Sequence, residues 1–342
     1  MIWTYISILG KTLPSLEPYF DVSPPYDSAL QSKLDAFDLS LFDTIDKIRA
    51  VSCAFSAETV LAGVSHMQHT EYVADSPDGP VTLSVFSGMS STNRSRPAVY
   101  IIHGGGQIAG NRFIALDSLI RFFEGIDIVA ISVEYRLAPE HPAPAALNDS
   151  YAGLVWVADH AAELGINPAQ IMILGGSGGG PIAAGCSLLA RQNQHPTLNL
   201  LAQMLLTPML DDRGQTASAK QFEHVGPWCG VINQMAWDCV LGPDRPEQVD
   251  YLVAPARATD LTGLPPTFID AGEAEVFRDE AVAYASLLWK CGVSTELHVW
   301  KGAFHGFDME ITGVSEDSQA AVARASIAAK KSWIRRVFKV DQ

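Results

Sequence analysis

Six short apolar runs dominate the sequence, at residues 98–102, 126–133, 171–174, 200–206, 267–269 and 295–299, and most of them lead into a helical stretch. Hydrophobicity that is continuous, not alternating, marks strands buried on both faces, as in a parallel sheet covered by helices. The helical stretches fall at 149–160, 181–191, 278–290 and 318–337. Two earlier segments, 71–74 and 81–86, flank Ser76-Pro77-Asp78-Gly79-Pro80 and read as a pair of short strands around a turn. The front of the chain, to about residue 65, has a different texture. Leu30, Leu34, Phe37, Leu41, Ile45 and Ile48 recur every three or four residues, which predicts one amphipathic helix. With no internal repeat or low-complexity tract, the expectation is one α/β domain with a helical piece in front.

Composition removes several classes of function. The 342 residues carry a formal charge of −15, which argues against binding a phosphate backbone or an anionic membrane surface. At 48% hydrophobic and 18% charged, the chain has ample material for a large core. Its five cysteines, Cys53, Cys186, Cys229, Cys239 and Cys291, form no C-x-x-C pair and are odd in number. They read as reduced thiols, which points to a cytoplasmic protein without a disulfide scaffold or a metal knuckle. Residues 1–9 are apolar but lack a preceding Lys or Arg and a small-residue cleavage site. That run is too short to span a bilayer and reads as a lid or docking element.

Chemistry enters at Gly175-Gly176-Ser177-Gly178-Gly179, which fits G-x-S-x-G between an apolar run and a helical stretch. That strand–turn–helix context is what a nucleophile elbow needs, because the serine must take strained backbone angles in a tight turn. A bare glycine-rich turn would read the same way if it stood alone. His103-Gly104-Gly105-Gly106 follows the run at 98–102. Its backbone N–H groups are free to point into a cleft and hold an oxyanion. The phosphate-binding alternative would need G-x-x-x-x-G-K-[ST] or G-x-G-x-x-G, which this stretch lacks.

Nine histidines compete to be the base. His305, in Ala303-Phe304-His305-Gly306-Phe307, follows the run at 295–299 and falls at the sheet edge where α/β sites lie. His66, His69, His160 and His195 read as surface or loop residues, and His141 as ordering a turn. His224 lies in an irregular stretch, His298 sits inside a predicted strand, and His103 belongs to its glycine motif. The orienting acid should lie between Ser177 and His305 in chain order. Asp270 ends a strand, while Asp279 and Glu280 already belong to the next helix. Glu273 and Glu275 both fall in the loop, and spacing alone does not choose between them.

These blocks together resemble the hormone-sensitive-lipase-like branch (family IV, GDXG) of the α/β-hydrolases, over roughly residues 103–307. The family's H-G-G-G block corresponds to residues 103–106, and its E-Y-R-L-A-P-E-H-P-x-P-A-A block is intact at 134–146. Its G-D-S-A-G-G block corresponds to residues 175–180, with Gly176 for Asp and Gly178 for Ala. Its D-x-L-R-D-E and F-H-G-F blocks correspond to 275–280 and 304–307. The resemblance implies an α/β-hydrolase fold, with a mostly parallel central sheet flanked by helices and a helical cap. It places cap helices at 1–60, the catalytic domain at 61–342 and a second cap segment at 211–250.

The family's acid precedes R-D-E by three residues, which selects Glu275, where the family usually has Asp. A Ser-His-Glu triad is a recognised variant. The implied assignments are Ser177 as nucleophile, His305 as base and Glu275 as its partner, with Gly105, Gly106 and Gly178 giving the oxyanion amides. Phe222, Trp228, Met235 and Trp237 in the second cap segment either line the substrate pocket or simply pack the cap against the core. The expected activity is ester hydrolysis through an acyl-enzyme on short- to medium-chain or small-metabolite esters, without metal or organic cofactor. A lactonase, deacetylase or amidase would use the same residues, and a binding-only receptor like the gibberellin receptor would share the fold. No nucleic-acid partner and no stable membrane insertion are expected, and dimers are common in the family.

Overall fold

The computed structural model describes residues 22–37, 44–52, 54–89, 95–309 and 319–340. The apolar run at 1–9, together with Leu41 and Cys53, lies outside the described residues. Among the described residues, one sheet of eight strands organises the fold, in the order β1-β2-β4-β3-β5-β6-β7-β8. Its strands are β1 (Met67–Ala74), β2 (Val81–Gly88), β3 (Arg96–Ile102), β4 (Val129–Glu134), β5 (Ile166–Gly176), β6 (Leu200–Leu206), β7 (Thr267–Gly272) and β8 (Thr295–Trp300). β1 pairs with β2 and β2 with β4 antiparallel, whereas every pairing from β4 through β8 is parallel.

The continuous apolar runs become strands covered on both faces because their side chains alternate between two cores. In β3, Ala98, Tyr100 and Ile102 join one cluster while Val99 and Ile101 join the other. In β5, Ile171 and Ile173 separate from Met172 and Leu174 in the same way. The first face is covered by α5 (Ala145–Asp159), α7 (Gly179–Asn193) and α10 (Arg278–Lys290), which supply Leu154, Leu188 and Leu288. The second is covered by α3 (Ala57–Gly63), α4 (Leu116–Arg121) and α11 (Ala321–Val337), through Val60, Leu119 and Trp333. Ser56 opens α3 with a capping box, its hydroxyl accepting from the Thr59 amide. α6 (Ala161–Leu164) is a single turn before β5.

The front of the chain departs from the single amphipathic helix expected from 30 to 48. A 3₁₀ turn at Ser28–Leu30 runs into α1 (Gln31–Asp35), and a separate α2 spans Ile45–Ser52. The reason is that the apolar positions serve two destinations. Leu30, Leu34 and Phe37 pack with Phe304 and Phe307, whereas Ile45 and Ile48 pack with Ile108, Met209 and Phe222. One straight helix cannot reach both clusters.

Within the segment from 211 to 250 the structure places α8 (Ala217–Gln221) and α9 (Gly230–Leu241). Trp228, Ala236, Trp237 and Val240 meet Ile48 of α2 in one cluster over Ile108 and Ala109. An ion-pair clasp closes the base of this segment, where Asp212, with its side chain fully buried, receives Arg245 at 2.8 Å and Arg257 at 2.5 Å. Among the described residues no helix is long and apolar enough to cross a membrane, and no group of His, Cys, Asp and Glu could hold a metal ion.

Candidate active site

Ser177 stands where β5 turns into α7, at φ +51°, in the left-handed region that costs a non-glycine residue on the order of 1 kcal/mol. The turn is held on every side. The Ser177 amide donates to the Leu206 carbonyl at 2.9 Å, and the Ser177 carbonyl accepts from Gly180 at 2.9 Å and Met209 at 3.1 Å. Gly175 and Gly179, on either side of the turn, are required by contact. A Cβ on Gly175 would lie 2.3 Å from the Gly179 carbonyl oxygen, and one on Gly179 would lie 2.2 Å from that of Ile102. Strand, turn and helix therefore touch backbone to backbone.

The loop after β8 brings His305 to this serine. His305 Nδ1 lies 2.6 Å from Glu275 Oε2, and His305 Nε2 lies 3.0 Å from Ser177 Oγ. A carboxylate can only accept, so Nδ1 carries the proton, and the Nε2 lone pair faces the Ser177 hydroxyl, which donates to it. Glu275 is 2% exposed, and its other oxygen accepts the Gly272 amide at 2.5 Å. Phe277 presses edge-on against the imidazole at 5.2 Å between centroids.

The structure separates the two glutamates that spacing left open. Glu273 turns back to accept the Gly302 amide at 2.9 Å, and only Glu275 faces His305. The remaining acids are engaged elsewhere. Asp279 binds the Ser218 amide, while Glu280 accepts the Leu210 and Asp211 amides, and burial pushes its carboxyl well above the usual range. His298 is stacked between Phe268 and Trp300 within the sheet.

Beside Ser177, Gly105 and Gly106 take positive φ values of +104° and +61°, and Gly178 caps the N-terminus of α7. A Cβ on Gly178 would sit 2.5 Å from the Gly106 nitrogen and 2.8 Å from that of Gln107, so the two glycine-rich turns abut. His103 braces the first turn. It stacks on Tyr135 at 4.1 Å, its Nδ1–H donates to the Gly104 carbonyl at 2.8 Å, and the Tyr135 hydroxyl donates to the His103 carbonyl at 2.8 Å. Burial pushes its imidazole down to about 4, which keeps it neutral. Tyr135 belongs to the block at 134–146, and nothing in the pattern of that block signals this buttress.

The aromatic candidates are not equivalent. Trp228 lies against Gly106, since a Cβ there would fall 2.5 Å from its ring. Its Nε1 donates to Asn233 at 3.4 Å. Phe222 and Trp237, each 1% exposed, are packed into the cluster beneath α8 and α9. A cavity of about 620 Å³ opens along α8 and α9, lined by Lys220, Val231, Gln234, Met235 and Asp238; it includes Met235 but none of the three other candidates.

Residues 99–309 match the family described as alpha/beta hydrolase fold. Esterase LipI of Mycobacterium tuberculosis is 29% identical over 92% of this chain and 98% of its own length. Carboxylesterase NlhH of the same organism is 38% identical over 62% of this chain and 66% of its own length. Among solved structures, a bacterial heroin esterase superposes with a TM-score of 0.81 at 33% identity, covering 91% of this chain and 98% of its own. A thermostable esterase from Pseudomonas putida gives a TM-score of 0.76 at 27% identity, covering 92% and 96%. The chain belongs to the alpha/beta hydrolase fold family, in its hormone-sensitive-lipase-like branch.

Proposed function

We propose that the chain is a carboxylesterase that cleaves its substrate through an acyl-enzyme on Ser177. The observation that carries this reading is the unbroken line of hydrogen bonds from Ser177 Oγ through His305 to Glu275 at 3.0 and 2.6 Å. The relatives named esterase and carboxylesterase supply independent support.

In the first half of the reaction, Ser177 Oγ attacks the ester carbonyl as His305 Nε2 takes its proton. Glu275 holds the imidazolium that forms. The negative charge on the carbonyl oxygen meets the amides of Gly105, Gly106 and Gly178, with the N-terminal end of α7 behind them. The intermediate collapses with cleavage of the ester C–O bond, and His305 returns its proton to the departing alcohol. Water then repeats the sequence on the acyl-enzyme: His305 takes one proton, hydroxide adds to the carbonyl, and Ser177 Oγ leaves with that proton. The products are one acid and one alcohol, and the cycle needs no cofactor.

Short- to medium-chain or small-metabolite esters fit this reading, because α2, α8 and α9 converge over Ile108 and Ala109 next to the glycine turn. We read these helices as parts of the cap. A cytoplasmic location belongs to the same reading, supported by four described cysteines that are all free.

The assignment is tested on p-nitrophenyl acetate. Ser177→Ala lowers kcat by at least about 10⁴-fold, and Glu275→Ala by a comparable factor, whereas Glu273→Ala stays within a few-fold of the parent. Parent-like activity in Ser177→Ala refutes the mechanism. A larger loss in Glu273→Ala than in Glu275→Ala moves the acid.

A further inference from the structure

Three residues beyond His305 the chain turns a carboxylate inward. Asp308 is 4% exposed, and Lys330 of α11, 2% exposed, makes a short hydrogen bond to its Oδ2. Ser326 Oγ donates to the same oxygen at 2.5 Å. Lys330 Nζ also lies 3.0 Å from Oδ2 of Asp270, which is fully buried at the heart of β7. Asp270 Oδ2 takes the Trp300 indole N–H at 3.0 Å, while the Asp270 carbonyl takes the Thr207 amide at 3.0 Å. Thr207 directly follows Leu206, the residue whose carbonyl holds the Ser177 amide. From the other side, Lys33 of α1 donates to the carbonyls of Phe307, at 2.8 Å, and Met309.

This cluster buries two carboxylates and one ammonium. Replacing such a group with well-packed apolar residues is often neutral or favourable for stability, so stability is a weak reason for the arrangement. What charged hydrogen bonds provide here is direction. They fix the backbone on the far side of His305 to the same strand, β7, that braces the turn behind Ser177.

We propose that Asp308 and Lys330 are positioning residues for ester hydrolysis, which hold the His305 loop in register with Ser177 through Asp270. The proposal rests on the reading of Ser177 and His305 as the reacting pair. Neither residue touches the substrate. Their effect reaches the chemistry through the distance and angle between His305 Nε2 and Ser177 Oγ, which must hold in both acylation and deacylation. Displacements of about 1 Å in such geometry cost up to about 100-fold in rate.

The deciding experiment compares Asp308→Asn with Asp149→Asn in the full chain. Asp149 is a matched buried carboxylate, paired with Arg136 on the opposite side of the sheet at 2.8 Å. Hydrolysis of p-nitrophenyl acetate and urea denaturation are measured on both. Asp308→Asn removes the charge on which the Ser326 and Lys330 hydrogen bonds converge and so weakens them, and is expected to lower kcat about tenfold with KM within about twofold. Asp149→Asn is expected to lower the urea midpoint while leaving kcat within about twofold. Lys330→Met tests the partner, and Asp308→Asn decides alone if Lys330→Met does not fold. Parent-like kcat in Asp308→Asn overturns the proposal, as does an equal loss of kcat in Asp149→Asn. Ser177→Ala assayed alongside keeps the two claims apart, because activity surviving there overturns the reading of the site itself.

Discussion

Gly178 has no room for a side chain, whereas its neighbour two residues earlier does. A Cβ on Gly178 would press on the backbone nitrogens of Gly106 and Gln107 at 2.5 and 2.8 Å, while one on Gly176 would meet nothing nearer than the Leu206 carbonyl oxygen at 4.0 Å. Both positions depart from the family's G-D-S-A-G-G block, and contact distance gives them different consequences. Gly178→Ala must push the turn at Gly105 and Gly106, the proposed oxyanion hole, away from Ser177, which predicts a loss of about 10- to 100-fold in kcat on p-nitrophenyl acetate. Gly176→Ala is predicted to stay within about twofold. Equal kcat in the two variants would show that the turns separate freely. The same scale explains why the acid could not be chosen by spacing. Glu273 and Glu275 share one loop and one face of the sequence pattern, and only the direction of each side chain, toward Gly302 or toward His305, distinguishes them.

Among the elements, α2 is joined to the site by the apolar contacts of Ile45 and Ile48 and by the hydrogen bonds of Arg49. Arg49 Nε donates to the Ile108 carbonyl at 2.7 Å and Nη2 to the Ala138 carbonyl at 2.9 Å, and both terminal nitrogens reach Glu140 at 2.7 Å. Ile108 lies two residues beyond Gly106. The Glu140 end is solvent-exposed and contributes little, so the carbonyl contacts should dominate. Arg49→Met is therefore predicted to cost about 1–2 kcal/mol in urea denaturation, and Glu140→Gln distinctly less. The reverse order would assign the docking of α2 to the ion pair.

Elements of this size were legible in the sequence to different degrees. The run at 200–206 is β6 and the stretch at 278–290 is α10, because both are continuous and well bounded, β6 alternating between the two cores and α10 committed to one. α4, with six residues, is too short to show a helical period. The helix expected across 30–48 failed because periodicity reports which residues are apolar, and Leu34 and Ile48 bury against different clusters. Asp308 and Lys330 carried no signal, since an isolated charge in sequence reads as a solvated one until the fold pairs it.

Over the whole molecule, the site is a product of sheet geometry. Gly105 and Gly106 follow β3, Ser177 follows β5, Glu275 follows β7 and His305 follows β8, so the parallel strands deliver all of them to one C-terminal edge. That convergence is why ordered motifs far apart in the chain are legible as one site from the amino-acid sequence. The charge of −15 and the apolar excess bear on surface and core, and carry none of the chemistry. Everything proposed for this edge depends on Ser177 being its activated nucleophile. The sharpest test is to label the folded protein with a fluorophosphonate and locate the adduct by peptide mass spectrometry. A single adduct on Ser177 is expected, formed in proportion to loss of esterase activity and abolished by Ser177→Ala. An unlabelled Ser177 in folded, active protein, or an inactivating adduct on another residue, would contradict that assignment.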